Sequence, residues 1–393
     1  MKQFFVAVSF MLIVFNACAQ DQTESFLKRH WAFPILPQGK ASASYSKLEI
    51  SLNPDDCGSC HEKQYKGWLA SRHSHAMGPG VMGQLLEIKP NSVGELRDCT
   101  RCHAPLAEQE VSLRKQLRGS QQTAPLHEQG LVCAACHIRK NVRYGPPPRH
   151  SPSKGRLPHD GFVISPAFED SRFCATCHQF GKDGYALNGK PLENTYVEWQ
   201  ASSFAKKGQQ CQFCHMPGRQ HLWLGIHDVE MTRRGVTISP TVPTLRKGKF
   251  SAQLSITNSG TGHNFPSYVT PRVLVRIYQE STDRKLISGT LREKIIARQM
   301  SADMLEELMD TRLAPDEKML LNYSVPLDKN AAVIVMQVRV EPDYYYTGLY
   351  RSLLDEQIDG KGMKLIQIAL KNSLASVYEL YVQRYSLAQI ESQ

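Results

Sequence analysis

A five-residue pattern, Cys-x-x-Cys-His, occurs five times in this 393-residue chain and uses ten of its eleven cysteines. Composition alone would give about 0.01 copies of this pattern in a chain of this length. The copies contain Cys57, Cys60 and His61; Cys99, Cys102 and His103; Cys133, Cys136 and His137; Cys174, Cys177 and His178; and Cys211, Cys214 and His215. The chain must therefore fold so that five equivalent Cys-Cys-His groups can each bind the same kind of chemical group.

The pattern is typical of covalent attachment of haem c. Two thiols bond to the vinyl groups on one porphyrin edge, and the adjacent His coordinates the iron. A disulfide framework does not require a His after every second Cys, and zinc sites would use the cysteines in fours. A thioredoxin-like redox motif would appear once in a chain, inside a βαβ pattern, and that pattern is absent from this sequence. We therefore predict five covalently bound haem c groups, held by the ten cysteines, with the five motif histidines as proximal iron ligands.

The spacing of the motifs indicates how the haems are enclosed. Successive copies begin 34 to 42 residues apart, which is too little chain to surround a haem with its own core. The haems are therefore expected to supply the apolar interior and to lie close together, which favours electron transfer between them. With ionised propionates, five haems would bring the charge of the chain from about +9 without Lys2 to about +4 when oxidised and about −1 when reduced. This charge therefore does not indicate a nucleic-acid partner.

The N-terminal region indicates export. An apolar run at residues 4–15 follows Lys2, is too short to cross a bilayer, and is typical of a signal peptide, predicted over residues 1–19. Cleavage before Cys18 would make this residue a lipid anchor, whereas cleavage after Ala19 would release a soluble protein. We expect a periplasmic protein or an outer-membrane-associated lipoprotein, with cleavage before Cys18 favoured and no transmembrane helix in the mature chain.

The composition changes along the chain predict an α+β fold. Residues 20–53 are polar and rich in Pro and Ser, which predicts a tether, and residues 54–232 are predicted to form an irregular, mainly helical pentahaem domain with little sheet. Apolar residues then alternate with polar ones, as at Phe250–Thr257, which predicts a small antiparallel β-sandwich-like domain over residues 236–345. Residues 346–393 are predicted to be a C-terminal helical segment, with an amphipathic helix over residues 361–384.

Nine histidines outside the motifs are candidates for the sixth ligand of the irons. A second His on each iron would give a low-spin electron carrier with little reorganisation on reduction. The favoured distal ligands are His73, His159, His227, His263 and His221. The further candidates are His127, His75 and His150, and His30 is expected to lie outside the haem shell.

Residues around the motifs carry a family resemblance over about residues 57–230. They include Trp68, His73, Ala76 and Met77 after the first motif, Ala-Pro-Leu after the second, Gly-Leu-Val before the third, Gln-Phe after the fourth and Met-Pro after the fifth. This set resembles the multihaem cytochrome c superfamily that includes the tetrahaem cytochromes linked to hydroxylamine oxidation. The resemblance implies that His73 is a distal haem ligand. The run Gly260–Pro266 resembles a turn that follows such haem regions, which implies that His263 reaches back to a haem.

Two main functions fit these features. The first is a pentahaem relay that passes electrons between protein donors and acceptors in the periplasm or at the cell envelope. The second is an oxidoreductase that acts on a small nitrogen or sulfur compound, such as nitrite or hydroxylamine, at one five-coordinate haem. A third alternative uses the β domain as a docking module. Every motif ends in His, the spare histidines can fill every sixth position, and no catalytic triad or phosphate loop is present. These features favour the relay, with no catalytic residue assigned.

Overall fold

The computed structural model describes residues 22–89, 91–120, 122–149, 157–301, 304–356 and 360–391. The predicted signal peptide, Cys18 and His150 lie outside these ranges. The described chain divides into two compact units. Unit 1 contains the residues up to Cys177 together with Gln210–Trp223, and unit 2 contains His178–Gln209 together with the residues from Leu224 onward.

Short helices joined by turns form most of unit 1. The helices are α1 (22–30), α2 (Lys47–Ile50), α3 (Pro54–Gly58), α4 (Glu62–Leu69), α5 (Pro79–Leu85), α6 (Val93–His103), α7 (Ala107–Leu117), α8 (Cys133–His137), α9 (Arg172–His178, whose last residue is assigned to unit 2) and α12 (Cys211–His215). The strands are β1 (Ile138–Arg139), β2 (Val142–Gly145) and β3 (Val163–Ile164). Strand β2 pairs with β1 in antiparallel and with β3 in parallel orientation.

The N-terminal part of unit 1 differs from the predicted tether. Ile35 is buried, bridges to Leu106, and belongs to a small apolar cluster with Val132. The backbone N–H of Gln38 donates to the carboxylate of Glu108 at 2.7 Å. The prediction of a tether is therefore wrong for residues 22–50, because isolated apolar residues within a polar segment anchor it to distant parts of the chain.

Two antiparallel sheets dominate unit 2. The first has the order β11-β10-β9-β13-β14, and the second has the order β12-β8-β6, with β7 also paired to β8. The strands are β4 (Ala186–Leu187), β5 (Lys190–Pro191), β6 (Val236–Pro240), β7 (Thr244–Arg246), β8 (Lys249–Asn258), β9 (Arg272–Ser281), β10 (Arg292–Met300), β11 (Glu307–Asp310), β12 (Lys318–Pro326), β13 (Ala331–Glu341) and β14 (Tyr378–Ser386). The helices are α10 (Thr195–Gln200), α11 (Ser203–Lys206), α13 (Val229–Gly235), α14 (Tyr344–Asp355), α15 (Met363–Ala375) and α16 (Leu387–Glu391).

The alternating sequence pattern explains how the two sheets share a core. Phe250, Leu254 and Ile256 of β8 are fully buried, and so are Ile334 and Met336 of β13. Side chains from both sheets belong to one apolar cluster. Because successive residues of a strand face opposite sides, alternation with a period of two sends one apolar row into that cluster. The predicted antiparallel strands are therefore confirmed, and the fold is α+β.

Unit 2 begins earlier in the sequence than predicted. Strands β4 and β5 form a hairpin within residues 178–209, and the buried guanidinium of Arg298 in β10 donates to the carbonyls of Pro191 and Leu192 at 2.8 and 3.0 Å. The chain then leaves unit 2 for Gln210–Trp223 and returns. The predicted continuous haem domain over residues 54–232 therefore does not match this division, because residues 178–209 and 224–232 belong to unit 2.

The C-terminal segment also differs from its prediction. Helix α15 ends at Ala375, and Tyr378–Ser386 forms strand β14, which pairs antiparallel with β13. The predicted helix over residues 361–384 is therefore wrong beyond Ala375. The edge of β13 that faces away from β9 forms backbone hydrogen bonds with β14. The amphipathic pattern of residues 361–384 is local and does not reveal this pairing. Within the described ranges, no helix combines the length and the apolar character needed to cross a bilayer.

Candidate haem-attachment sites

Four of the five motifs form the last turn of a helix. Helices α6, α8, α9 and α12 each end at the His of a motif. The first motif has Cys57 in α3 and His61 at the N-cap of α4. Residues three and four apart on a helix share one face, so both sulfurs and the imidazole lie on the same side of the turn. This arrangement fits a porphyrin that is bonded at one edge and ligated from one side.

The proximal imidazoles are oriented through Nδ1. This nitrogen lies 2.5 Å from the carbonyl oxygen of Ala76 in His103 and 2.8 Å from that of Tyr144 in His137. In His178 it lies 2.6 Å from the hydroxyl oxygen of Tyr268, within unit 2. A metal-binding His typically donates its second N–H to such an acceptor, which fixes the tautomer and directs Nε2 to the metal. The motif residues therefore fit haem c.

Burial favours the neutral, iron-binding form of these side chains. It lowers the pKa of His103 and of His137, although hydrogen bonds to backbone carbonyls oppose this shift. Burial also lowers the pKa of His61, with a smaller contribution from nearby His159. A neutral imidazole keeps the lone pair that an iron requires.

Sulfurs of different motifs contact one another in unit 1. Hydrogen-bonding contacts join the Cys57 and Cys133 side chains, the Cys102 and Cys177 side chains, and the Cys174 and Cys211 side chains. No disulfide joins the ten described cysteines. In a haem c protein, each sulfur marks the porphyrin edge to which it is bonded. The contacts therefore relate motif 1 to motif 3, motif 2 to motif 4, and motif 4 to motif 5.

His137 and His221 form a pair suited to one iron. Their ring centroids are 6.1 Å apart, with an angle of 31° between the ring planes. Metal–imidazole bonds of about 2 Å would place the ring centres of two axial histidines about 6 Å apart. Nδ1 of His221 lies 3.1 Å from the carbonyl oxygen of Arg219, and burial lowers the pKa of His221 to about 4. Both rings are therefore neutral, and both are held through Nδ1.

His159 occupies a strained backbone position near His61. Its φ angle is +44°, a conformation that non-glycine residues adopt at a cost and that concentrates at functional sites. The carboxylate of Glu49 accepts from its backbone N–H at 2.6 Å, and Tyr45 donates to its carbonyl at 3.1 Å. Nδ1 of His159 lies 2.7 Å from the carbonyl oxygen of Gly161, so this side chain is also held through Nδ1.

His73 lies in a segment that packs closely against Gly130. The Leu131 N–H donates to the His73 carbonyl at 2.8 Å, and the Trp68 indole donates to the Leu131 carbonyl at the same distance. Gly130 has φ +64°, and a Cβ atom there would lie 2.5 Å from the His73 carbonyl oxygen. The sequence Gly-Leu-Val before the third motif therefore fixes the backbone that carries His73.

Two further histidines are held through Nδ1 in the same way. In His263 this nitrogen lies 2.9 Å from the carbonyl oxygen of Asn264, and burial lowers the pKa of the ring. In His75 it lies 2.9 Å from the carbonyl oxygen of Ser71. His75, which is not among the five favoured by sequence, therefore has the orientation expected of a ligand. No local sequence feature distinguishes it, because His73 and His75 lie in the same run of turns.

Three histidines use Nε2 in other contacts. In His227 it lies 2.9 Å from the carboxylate of Asp343, which does not support the prediction of a distal ligand. In His127, which is buried, Nε2 contacts Gln116 and Nδ1 contacts Ser112. In His30, Nε2 lies 2.7 Å from the Cys136 carbonyl oxygen. His30 is nevertheless buried and contacts the third motif, although the sequence analysis predicts that it lies outside the haem shell.

Comparisons with known proteins bear on the fold and on the kind of cofactor. Residues 56–138, which include the first three motifs, match the family described as cytochrome c554 and c-prime. The chain is thus similar to multihaem c-type cytochromes, and this similarity supports covalent haem c as its cofactor. A penta-heme cytochrome c552 from Thermochromatium tepidum is similar in structure, with a TM-score of 0.63, 19% sequence identity, and coverage of 87% of this chain and 100% of that chain. This likeness shows a shared fold. No curated protein sequence matches the chain.

Proposed function

We propose that the protein is a pentahaem c-type cytochrome that relays electrons between redox proteins in the periplasm or at the cell envelope. The observation that carries this proposal is the orientation of the motif histidines. Four motifs combine two sulfurs and an imidazole on one side of a helical turn, and the three Nδ1 contacts described leave Nε2 for iron. Each haem would supply an iron that cycles between the ferric and ferrous states.

The sulfur contacts support a continuous path for electrons. Cysteines that touch would bring the porphyrin edges of their motifs together. Motif 4 contacts both motif 2 and motif 5, so it is the branch point of the contacts in unit 1. The ring of Phe168 lies 5.0 Å from that of His137 in motif 3 and 4.5 Å from that of Phe173, which precedes Cys174, so motif 3 lies near motif 4. Motif 1 then joins the others through motif 3. The inferred order is 1–3–4, with branches from motif 4 to motifs 2 and 5.

The histidines held through Nδ1 support a low-spin relay. Four of them outside the motifs, His75, His159, His221 and His263, are candidates for the sixth positions. His73, whose role follows from the family resemblance, is the fifth candidate. We assign His221 opposite His137, because their ring centroids are 6.1 Å apart. His159 is a candidate for another of the sixth positions. An iron with two His ligands must lose one before it binds a substrate, so a fully ligated set favours the relay over the oxidoreductase.

The spectrum and haem content of the purified protein test this proposal. We expect five covalent haems by intact mass, purely low-spin ferric signals, and no spectral change with nitrite, hydroxylamine or cyanide. Fewer than five haems from a host with a working maturation system would contradict the pentahaem assignment. A native high-spin component that binds nitrite stoichiometrically would favour the oxidoreductase.

We also propose that Cys18 carries a lipid anchor. Two or more acyl chains give stable membrane attachment, whereas one chain gives only marginal binding. Cys18→Ser should therefore move the protein from the membrane fraction to the soluble periplasmic fraction, with its haem content unchanged. The measurement is immunoblotting of the two fractions, with Ser44→Ala as a matched control. Unchanged membrane partition of Cys18→Ser would argue against the anchor.

A further inference from the structure

The fourth motif differs from its neighbours in the group that accepts from its proximal His. His103 and His137 direct Nδ1 at backbone carbonyls, whereas Nδ1 of His178 lies 2.6 Å from the side-chain oxygen of Tyr268. The rings of His178 and Tyr268 are close to parallel, with an angle of 23° between their planes and centroids 6.1 Å apart. Both residues belong to unit 2. A side chain can be replaced by mutation, and a backbone carbonyl cannot.

A buried ion network holds the loop that carries Tyr268. The guanidinium of Arg312 is completely buried, and it donates to the carbonyl of Ser267 at 2.6 Å. It also pairs with Glu198 at 3.0 Å and with Asp310 at 2.9 Å. Because Arg312 presents several donors in a rigid planar fork, these contacts fix the position of the residue next to Tyr268.

Further contacts hold the same loop on the N-terminal side of Tyr268. The Glu198 carboxylate accepts from the backbone N–H of Asn264 at 3.2 Å. The hydroxyls of Thr195 and Ser267 are hydrogen-bonded at 2.7 Å. Phe265 and Leu313 exchange two backbone hydrogen bonds, at 2.8 and 2.9 Å. The hydroxyl of Tyr268 is therefore placed by the framework of unit 2 and not by a flexible surface loop.

We propose that Tyr268 is a positioning residue that sets the reduction potential of the haem on the fourth motif. The inference rests on the proposed function, since it requires a haem whose iron is bound by Nε2 of His178. Such binding puts the proton on Nδ1, so Nδ1–H donates and the Tyr268 oxygen accepts. An acceptor at this place increases electron donation by the imidazole and thereby stabilises ferric iron. Loss of the acceptor raises the potential.

The position of the fourth motif gives this tuning a role in the relay. Motif 4 is the branch point of the sulfur contacts, so electrons that pass between motifs 2 and 5 would pass through its haem. A change in the potential of this haem changes how electrons divide among all the others. Tyr268 thereby links the ion network of unit 2 to the distribution of electrons along the relay.

Tyr268→Phe in the full-length holoprotein tests the proposal, because it removes only the hydroxyl. We expect a redox titration, followed by optical and electron paramagnetic resonance spectra, to show one haem that is several-fold easier to reduce. A tenfold change in a one-electron equilibrium corresponds to about 59 mV. The low-spin signal of that haem should change its g-values, while the other four midpoints and the covalent haem count remain the same. Tyr185→Phe, at an exposed side chain of the same unit, is the matched control.

The other outcomes distinguish a failure of the role proposed for Tyr268 from a failure of the proposed function. Five haems with no midpoint changed in Tyr268→Phe, or with the single shift in the opposite direction, would overturn the role of Tyr268. A shift of all five midpoints would indicate a general structural effect and would overturn it as well. A wild-type protein without a haem on the fourth motif would instead overturn the proposed function on which the inference rests.

Discussion

Replacement of His221 by alanine is expected to convert one low-spin haem in five into a high-spin haem that binds cyanide. The physical reason is the pairing of His221 with His137 at a ring separation of 6.1 Å, which suits two axial ligands of one iron. Loss of one ring opens a coordination position without disturbing the sulfur bonds. Electron paramagnetic resonance and a cyanide titration measure the effect, and intact mass checks that five haems remain.

His127→Ala is the matched control for this substitution. His127 is buried, but both of its ring nitrogens contact protein side chains. Its loss should lower stability, because Ser112 and Gln116 lose a buried partner, and should leave every haem low-spin. A His221→Ala protein that keeps five haems and a purely low-spin spectrum would show that another residue ligates the haem of the third motif.

Gly130→Ala is expected to destabilise the protein by on the order of 3 kcal/mol, from the left-handed backbone and a steric clash together. The added Cβ would lie 2.5 Å from the His73 carbonyl oxygen and 2.7 Å from that of Ser74, and neither backbone atom can move without displacing the segment that carries His73. The free energy of unfolding from denaturant titration is the measurement. A high-spin signal should also appear if His73 is a ligand.

Gly119→Ala separates backbone strain from the steric clash. Gly119 has φ +86°, but a Cβ there would meet no atom within 4 Å. We therefore expect it to cost only about 1 kcal/mol, from the left-handed conformation alone. Equal destabilisation by the two substitutions would mean that the contact between Gly130 and His73 contributes little.

The sequence predicted the parts of the fold that depend on local periodicity. The spacing of Cys, Cys and His matches one helical turn in four of the five motifs, and the alternation in Phe250–Thr257 matches strand β8. The same reasoning failed at Tyr378–Ser386, where pairing with β13 decides the conformation. It also failed for residues 22–50, because contacts such as that of Gln38 with Glu108 join residues far apart in the chain.

The distal ligands were harder to predict, because a ligand is distinguished by what its second nitrogen contacts. Asp343 contacts Nε2 of His227 although it is 116 residues away in sequence, and no local sequence pattern predicts that contact. The opposite holds for His159 and His221, whose Nδ1 partners lie two residues away in sequence. Tyr268 was missed altogether, since it is 90 residues from His178 and carries no motif of its own.

The uneven distribution of apolar side chains between the two units has a consequence for how the protein acquires its stability. Unit 2 closes two sheets over a large cluster of its own side chains, so these sheets have an apolar core that contains no haem. The cluster around Ile35 and Leu106 in unit 1 is far smaller. A group that binds only the native state adds its binding free energy to folding, and a covalent bond makes that contribution permanent. Haem attachment and the cooperative folding of unit 1 are therefore thermodynamically linked, whereas the sheets of unit 2 depend less on haem because they have an apolar core of their own.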